Sequence, residues 1–334
     1  MNMINDTIIR LLRENGFGSV TSSISTVSGG FMHKMYKVDT EKGSFAVKHL
    51  NAEVMKRPEA MENYKRAEAL ERLLEDAEIP IVSAISVDGR KMLELDGNYF
   101  YVFRWQSGSI TDWNHVLPEQ CRIAGGLQGR IHAIQSREIA KQEPDVSSVD
   151  WKGYVCEAAA KNPKIGRILE ENEELLVYAE NELNQARAAL PGIETVVDED
   201  MDPKNVMWHE GKPYVIDLEC LDYGNPVSSA LQLSLQWAGS VTGDIDPEKI
   251  DAFFDGYLEA YDNGFRDYGS VFGLAYTWIE WLEYNIKRSL SESDAAEREM
   301  GESEVERTLA RIRSLHEMEG EIKQYLDQRL RFYS

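Results

Sequence analysis

Val197-Asp198-Glu199-Asp200-Met201-Asp202-Pro203-Lys204-Asn205-Val206-Met207-Trp208, followed shortly by Val215-Ile216-Asp217-Leu218-Glu219, is the most informative stretch of the chain. It sets D-x-x-x-x-N on a loop that Pro203 stiffens. Strand-like Val206–Trp208 and Tyr214–Asp217 come next, around a turn expected at Gly211-Lys212-Pro213. An acidic residue, Asp217, then closes an apolar strand.

Phosphoryl transfer asks for this set of side chains. The protein has little covalent chemistry to perform; it positions the reactants and supplies charge. Asp200 can accept the proton of an attacking hydroxyl, and Asn205 and Asp217 can hold magnesium, a hard cation that prefers oxygen ligands. The competing reading is a polar loop in which Asp and Asn only satisfy backbone groups. The hairpin and the apolar strand ending in Ile216-Asp217 favour the chemical reading.

Upstream, apolar spacing predicts a helix over 3–15 (Ile4, Ile8, Leu11, Leu12). Strands are expected at Ser23–Ser28, Lys34–Thr40 and Ser44–His49, with a small-residue turn at Ser28-Gly29-Gly30-Phe31. A helix over 58–77 follows, with Pro58 in its first turn and Pro80 beyond its end. Strands return at 81–87 and 98–104, the latter carrying Tyr99-Phe100-Tyr101-Val102-Phe103. After Trp105-Gln106-Ser107-Gly108 the pattern becomes helical, at 118–135, 168–190, 226–240, 247–262, 270–290 and 303–331. With 334 residues the chain exceeds what one core usually serves, about 250–300 residues. The expected architecture is therefore α+β in two lobes. Residues 1–104 form an antiparallel sheet with one main helix, and 105–334 form a mostly helical lobe holding the loop and Asp217.

The segment 198–219 resembles the catalytic loop of the aminoglycoside phosphotransferase and choline kinase superfamily, which reads H-x-D-x-x-P-x-N and then I-D-x-E/D. Asp200, Pro203, Asn205, Ile216, Asp217 and Glu219 fall on those positions, and Asp198 stands where the family has His. The resemblance covers most of the chain and implies a protein-kinase-like fold, ATP and Mg2+ as cofactors, and a small hydroxylated acceptor. It implies that Lys48, in Phe45-Ala46-Val47-Lys48, pairs with ATP phosphates, and that a helix carboxylate steadies it, Glu68 ahead of Glu71. Ser28, Gly29 and Gly30 would cover the phosphates, and the backbone from Phe103 to Trp105 would meet adenine. His132, in Gly126-Leu127-Gln128-Gly129-Arg130-Ile131-His132, reads as a packed structural residue.

Family members differ in the C-terminal helices that build the acceptor site. Here Trp281, Tyr284 and Asn285 crowd one such helix with Arg288, and Glu219 and Asp222 follow the metal strand. The acidic loop and a net charge of −22 suit a positively charged acceptor, as do aromatic faces. The core-packing reading of those aromatics stays open. Three readings remain: a metabolite kinase, an enzyme that phosphorylates aminoglycoside-type antibiotics, and a catalytically weak nucleotide-binding protein.

The same acidity argues against sequence-independent nucleic-acid binding, which needs a positive surface. Cys121, Cys156 and Cys220 are widely spaced and odd in number, which fits a reducing, cytoplasmic setting. No apolar run is long enough to span a membrane. There is no G-x-x-x-x-G-K-[ST], no H-E-x-x-H and no D-F-G.

Overall fold

The computed structural model describes residues 3–27, 33–141, 143–291 and 295–330. In chain order, α1 (Met3–Glu14) leads to β1 (Ser25–Val27), β2 (Lys34–Thr40), β3 (Gly43–His49), α2 (Ala52–Met55) and α3 (Ala60–Asp76). β4 (Leu93–Leu95), β5 (Asn98–Arg104) and β6 (Ser109–Ile110) follow, then α4 (Pro118–His132), β7 (Arg137–Glu138), α5 (Trp151–Lys161), α6 (Pro163–Ala189) and β8 (Ile193–Asp198). The hairpin β9 (Val206–His209) and β10 (Lys212–Val215) precedes β11 (Leu221–Gly224), α7 (Pro226–Trp237), α8 (Pro247–Ala260), α9 (Trp278–Ser289) and α10 (Ala295–Leu330).

The chain divides into two compact units, Met1–Ile110 with Asn205–Asp222, and Thr111–Lys204 with Tyr223–Ser334. The first unit takes the chain to residue 110, and the β9–β10 hairpin groups with it, not with the helices. The reason is backbone pairing. Trp208 of β9 faces Ser109 of β6, Val215 donates to the Pro80 carbonyl at 2.8 Å, and Val82 donates to the Val215 carbonyl at 2.9 Å.

The first unit is a five-stranded antiparallel sheet in the order β1-β2-β3-β5-β4. Period-two alternation sends its side chains to two cores. Tyr36, Val38, Phe45, Val47, Phe100 and Val102 pack with Ile8, Leu11 and Leu12 of α1. On the other side, Tyr101 and Ala84 pack with Leu50 and with Ala60 and Tyr64 of α3. The strand expected over 81–87 is only isolated bridges, Ile81 to Val215, Ala84 to Phe103 and Val87 to Arg90. The hairpin turn lies one residue earlier than expected, at Glu210-Gly211, both with positive φ (49° and 76°). A two-residue turn of that hand matches strand twist, and Lys212 and Pro213 are already paired with His209 and Trp208.

The second unit is helical. α4 and α8 approach at contact distance because glycines face each other: a Cβ on Gly125 would lie 1.9 Å from the Phe253 carbonyl oxygen, and one on Gly256 would lie 1.9 Å from that of Arg122. His132, at the end of α4, is fully buried, pairs with the Tyr257 hydroxyl at 2.9 Å, and has its pKa pushed down to about 3 by burial. It is a packed neutral imidazole. Helix 270–290 begins later than expected, as a 3-10 stretch Tyr268–Thr277 leading into α9.

Candidate active site

Within the first unit the site is built on Lys48. β3 presents this lysine 6 % exposed, and its ammonium lies 2.7 Å from Asp217 Oδ1 and 2.7 Å from Glu219 Oε1. Burial works against the charge, but Glu219 and Asp217 outweigh it and hold the lysine pKa above its ordinary value. Glu219 Oε2 is in turn 3.0 Å from His33 Nε2, whose ring also meets the Tyr64 hydroxyl at 3.3 Å. Burial pushes the Glu219 carboxyl up, yet the bond from His33 and the charge of Lys48 prevail and leave it below the usual range.

The helix carboxylates expected to hold Lys48 do not reach it. Glu68 accepts from the Tyr101 hydroxyl at 2.9 Å and from the Met92 amide at 3.1 Å. Glu71 accepts from the Ala84 amide at 3.0 Å and pairs with Lys91 at 3.1 Å. The cause is register: Tyr101 of β5 sits directly opposite Lys48 and captures Glu68, while α3 offers Tyr64, one turn earlier, to the lysine network. Glu219, expected near the acceptor, is therefore an anchor of Lys48. Asp222, expected there too, receives two bonds from Arg66 at 3.0 and 2.8 Å.

Asp217 adopts φ 62°, ψ 58°. A non-glycine residue held in the left-handed region needs surrounding structure to fix it, and such residues cluster at functional sites. The fixing comes from Ile216, which donates to the Asn205 carbonyl at 2.9 Å, and from Val215 bonded to Pro80. Asn205 is 5 % exposed. Together Asn205 and Asp217 offer the all-oxygen set that magnesium takes, with phosphate and water completing the shell. Among the described residues no cluster of three or more His, Cys, Asp or Glu forms a metal cage.

Phe103 pairs with Ala46 in the sheet, and the Trp105 amide donates to the Ser44 carbonyl at 3.0 Å, so that donor is committed to β3. The Trp105 ring lies under Lys37, 4.4 Å from its ammonium. Ser28, Gly29 and Gly30 lie outside the described residues.

In the second unit, Asp200 sits on a loop that its neighbours pin. Asp198, in the family's His position, is buried and accepts from the Asp200 amide at 3.2 Å, so it shapes the loop. The Trp237 indole donates to the Met201 carbonyl at 2.9 Å. Lys204, which the sequence reading passed over, places its ammonium 2.7 Å from Asp200 Oδ1 and 2.6 Å from Asp202 Oδ2. Its signal was present in the sequence, a cation four residues after Asp200. Burial pushes the Asp202 carboxyl up to about 6 despite the opposing charge of Lys204.

Of the acceptor residues expected on α9, Asn285 is turned into the core. Asn285 is fully buried and donates to the Trp281 carbonyl at 2.8 Å, against α10, where Gly301 leaves it room. Trp281 stacks on Tyr284 (5.4 Å, 20°) and its indole reaches Glu304 at 3.3 Å. Tyr284 is 39 % exposed.

Residues 23–271 match the phosphotransferase enzyme family (APH). Among solved structures, spectinomycin phosphotransferase APH(9)-Ia with ADP and spectinomycin is 15 % identical with a TM-score of 0.66, over 97 % of this chain and 98 % of that one. A choline/ethanolamine kinase family protein from Mesorhizobium loti is 13 % identical with a TM-score of 0.63, over 98 % and 100 %. Amicoumacin kinase hAmiN, solved with AMP-PNP, Ca2+ and Ami, is 13 % identical with a TM-score of 0.57, over 89 % and 91 %. No curated protein matches the chain.

Proposed function

The chain belongs to the phosphotransferase enzyme family, and from that membership we propose which residues carry its reaction. It is an ATP-dependent kinase of small molecules, moving the γ-phosphate to a hydroxyl. Lys48 would hold the nucleotide phosphates as a point charge, kept in place by Glu219 and Asp217. Asn205 and Asp217 would hold Mg2+, which when bound neutralises charge on the phosphate oxygens. Asp200 would orient the acceptor hydroxyl and take its proton. Lys204 would fix the Asp200 carboxylate, and Asp198 the loop beneath it.

The observation that carries this reading is the Lys48–Asp217–Glu219 cluster immediately after the β9–β10 hairpin. Through the bond from the Asp200 amide, Asp198, the residue in the family's His position, still braces the loop. No specific contact favours antibiotic inactivation. Among the described residues no helix is long and apolar enough to cross a membrane, and the three cysteines are free; we infer a reducing, cytoplasmic setting.

The test is thermal melting combined with turnover. ATP with Mg2+ at a hundredfold excess over its dissociation constant should stabilise the fold by about 2.7 kcal/mol. Asp200→Asn should keep that stabilisation and lose at least a hundredfold in turnover, the lower range of general-base contributions, ~10²–10⁴. A folded protein that melts at the same temperature with and without millimolar MgATP would overturn the nucleotide roles.

A further inference from the structure

The second unit contains an arginine whose charge is left incomplete. Arg311, on α10, is 9 % exposed, and its guanidinium carbon lies over the Trp278 ring, 4.6 Å from the ring centroid. Its Nε donates to the Val241 carbonyl at 3.3 Å, and among the described residues it forms no ion pair. Other arginines of α10 are engaged, Arg307 with Glu304 at 2.8 Å and Arg329 with Asp251 at 2.8 Å. A guanidinium has five N–H donors in a planar fork, and the bond from Arg311 to Val241 uses Nε alone, which leaves the fork of its two terminal nitrogens to solvent or to a ligand. Burial and then the nearby Arg307 disfavour the charge, while Glu304 and Asp202 favour it from beyond ion-pair distance. An anion beside Arg311 would complete what these carboxylates leave undone.

Trp278 also lines a small recess with Gln232, Gln236 and Ser240, floored by Leu235, Ala275 and Leu315. It has room for one water-sized group, and Arg311 meets it through their shared neighbour Trp278. Gln236 makes no side-chain hydrogen bond among the described residues. The next residue, Trp237, bonds the loop that carries Asp200. Gln232 and Gln236 thus belong to the helix whose last residue, Trp237, holds that loop.

Resting on the phosphotransferase reading above, we propose that Arg311, with Gln236 and Trp278, forms a subsite for a carboxylate of the acceptor. The acceptor is then a hydroxylated acid, not an amine. Three further features agree. The Trp278 face that could receive a substrate ammonium is already covered by Arg311. Trp281 and Tyr284 stack on each other. Three of the acids expected to attract a cation already take bonds from this chain's own bases, Glu219 from Lys48, Asp222 from Arg66 and Asp202 from Lys204, with Lys48 and Lys204 each shared with a second carboxylate, Asp217 and Asp200. A guanidinium recognises a planar carboxylate by two parallel bonds, which gives geometric selectivity as well as attraction.

The experiment is an ADP-release assay on the purified full chain with three series of acceptors. These are hydroxy acids such as glycerate and gluconate, their uncharged primary amides, and amino alcohols including choline, ethanolamine and spectinomycin. The wild type should turn over at least one hydroxy acid with kcat/KM more than tenfold above its amide. Arg311→Gln should erase that preference through KM, and Arg311→Lys, which keeps charge without the fork, should retain part of it. A purely structural arginine would lower acid and amide alike, and that result overturns the proposal. Turnover confined to amines, or absent in the acid series while MgATP still stabilises the protein, overturns it too and leaves the reaction type standing. If Arg311→Gln does not fold, Arg311→Lys carries the comparison: an unchanged acid-to-amide ratio there overturns the subsite. Loss of any MgATP response in the wild type would sink both readings.

Discussion

Lys48 and Asp202 show two opposite outcomes of burying a charge. Lys48 is 7 % exposed at its side chain but meets two carboxylates, and attraction prevails. Removing the cation leaves Asp217 and Glu219 facing each other, and breaking a buried pair costs roughly 3–5 kcal/mol. Lys48→Met is expected at about 3 kcal/mol, the low end, since Asp217 is 42 % exposed. Urea unfolding at neutral pH measures this, and added Mg2+ should restore part of it by replacing the ammonium. Glu219 has a lowered folded pKa, so its stability contribution is present above the ordinary carboxylate value and is lost as pH falls through the folded one. Asp202 is the reverse case. Its folded pKa is raised to about 6, so its contribution is fully present below the unfolded value of about 3.9 and is lost as pH rises through about 6. Two units correspond to at most about 3 kcal/mol. Asp202→Asn should therefore flatten stability between pH 4 and 6, and leave it unchanged or higher at pH 7. A variant that is clearly less stable at pH 7 would show that the Lys204 pair outweighs desolvation.

At the scale of elements, the α4–α8 contact makes a sharp contrast between adjacent glycines. A Cβ at Gly125 would meet the Phe253 carbonyl oxygen at 1.9 Å, whereas one at Gly126 would lie 3.6 Å from the Gly256 carbonyl oxygen, an ordinary contact. Gly125→Ala must push two backbones apart, and overpacking typically costs about 1–3 kcal/mol or more. Gly126→Ala should be neutral or stabilising by up to about 1 kcal/mol, because alanine is the better helix former. Chemical denaturation of the two variants decides it; equal losses would mean that the helices are not in backbone contact. The longer helices were readable from the sequence, as were β2, β3 and β5, whereas α2 and α5 were not. The stretch 81–87 was not, because its strand-like composition serves single bridges to Val215 and Phe103 in place of a ladder. The glycines of α4 gave no spacing signal for the partner they press against, since that partner is more than a hundred residues away.

For the molecule as a whole, the division of roles between the units yields a test. The first unit holds Lys48, Asn205 and Asp217, and the second holds Asp200. Asp217→Ala is expected to abolish the magnesium-dependent part of ATP stabilisation while a response to ATP in EDTA persists through Lys48. Asp200→Asn should leave both parts intact. Melting curves with ATP, with and without Mg2+, separate the two, and equal losses in both variants would show the assigned roles to be wrong. The net charge of −22 does not by itself set substrate charge, since part of the acid near Asp217 in the first unit and near Asp200 in the second is taken up in ion pairs with Lys48, Arg66 and Lys204.

The sequence by itself pointed to the reaction type and the α+β class, and it singled out Asp200, Asn205, Asp217 and Lys48 as the residues proposed to carry the reaction. Those residues act through spacing on one loop, one hairpin and one strand, and such local order is written directly in the chain. Tertiary structure alone decided which carboxylate serves Lys48. Strand register placed Tyr101 opposite the lysine and gave it Glu68, so Glu219 arrives from a segment far along the chain. It also decided that Asn285 is core, and that Arg311 lies on Trp278 without a counter-ion. Partners separated by tens to hundreds of residues leave no periodicity in the sequence. Only packing determines which buried charge is satisfied from within and which one waits for a ligand.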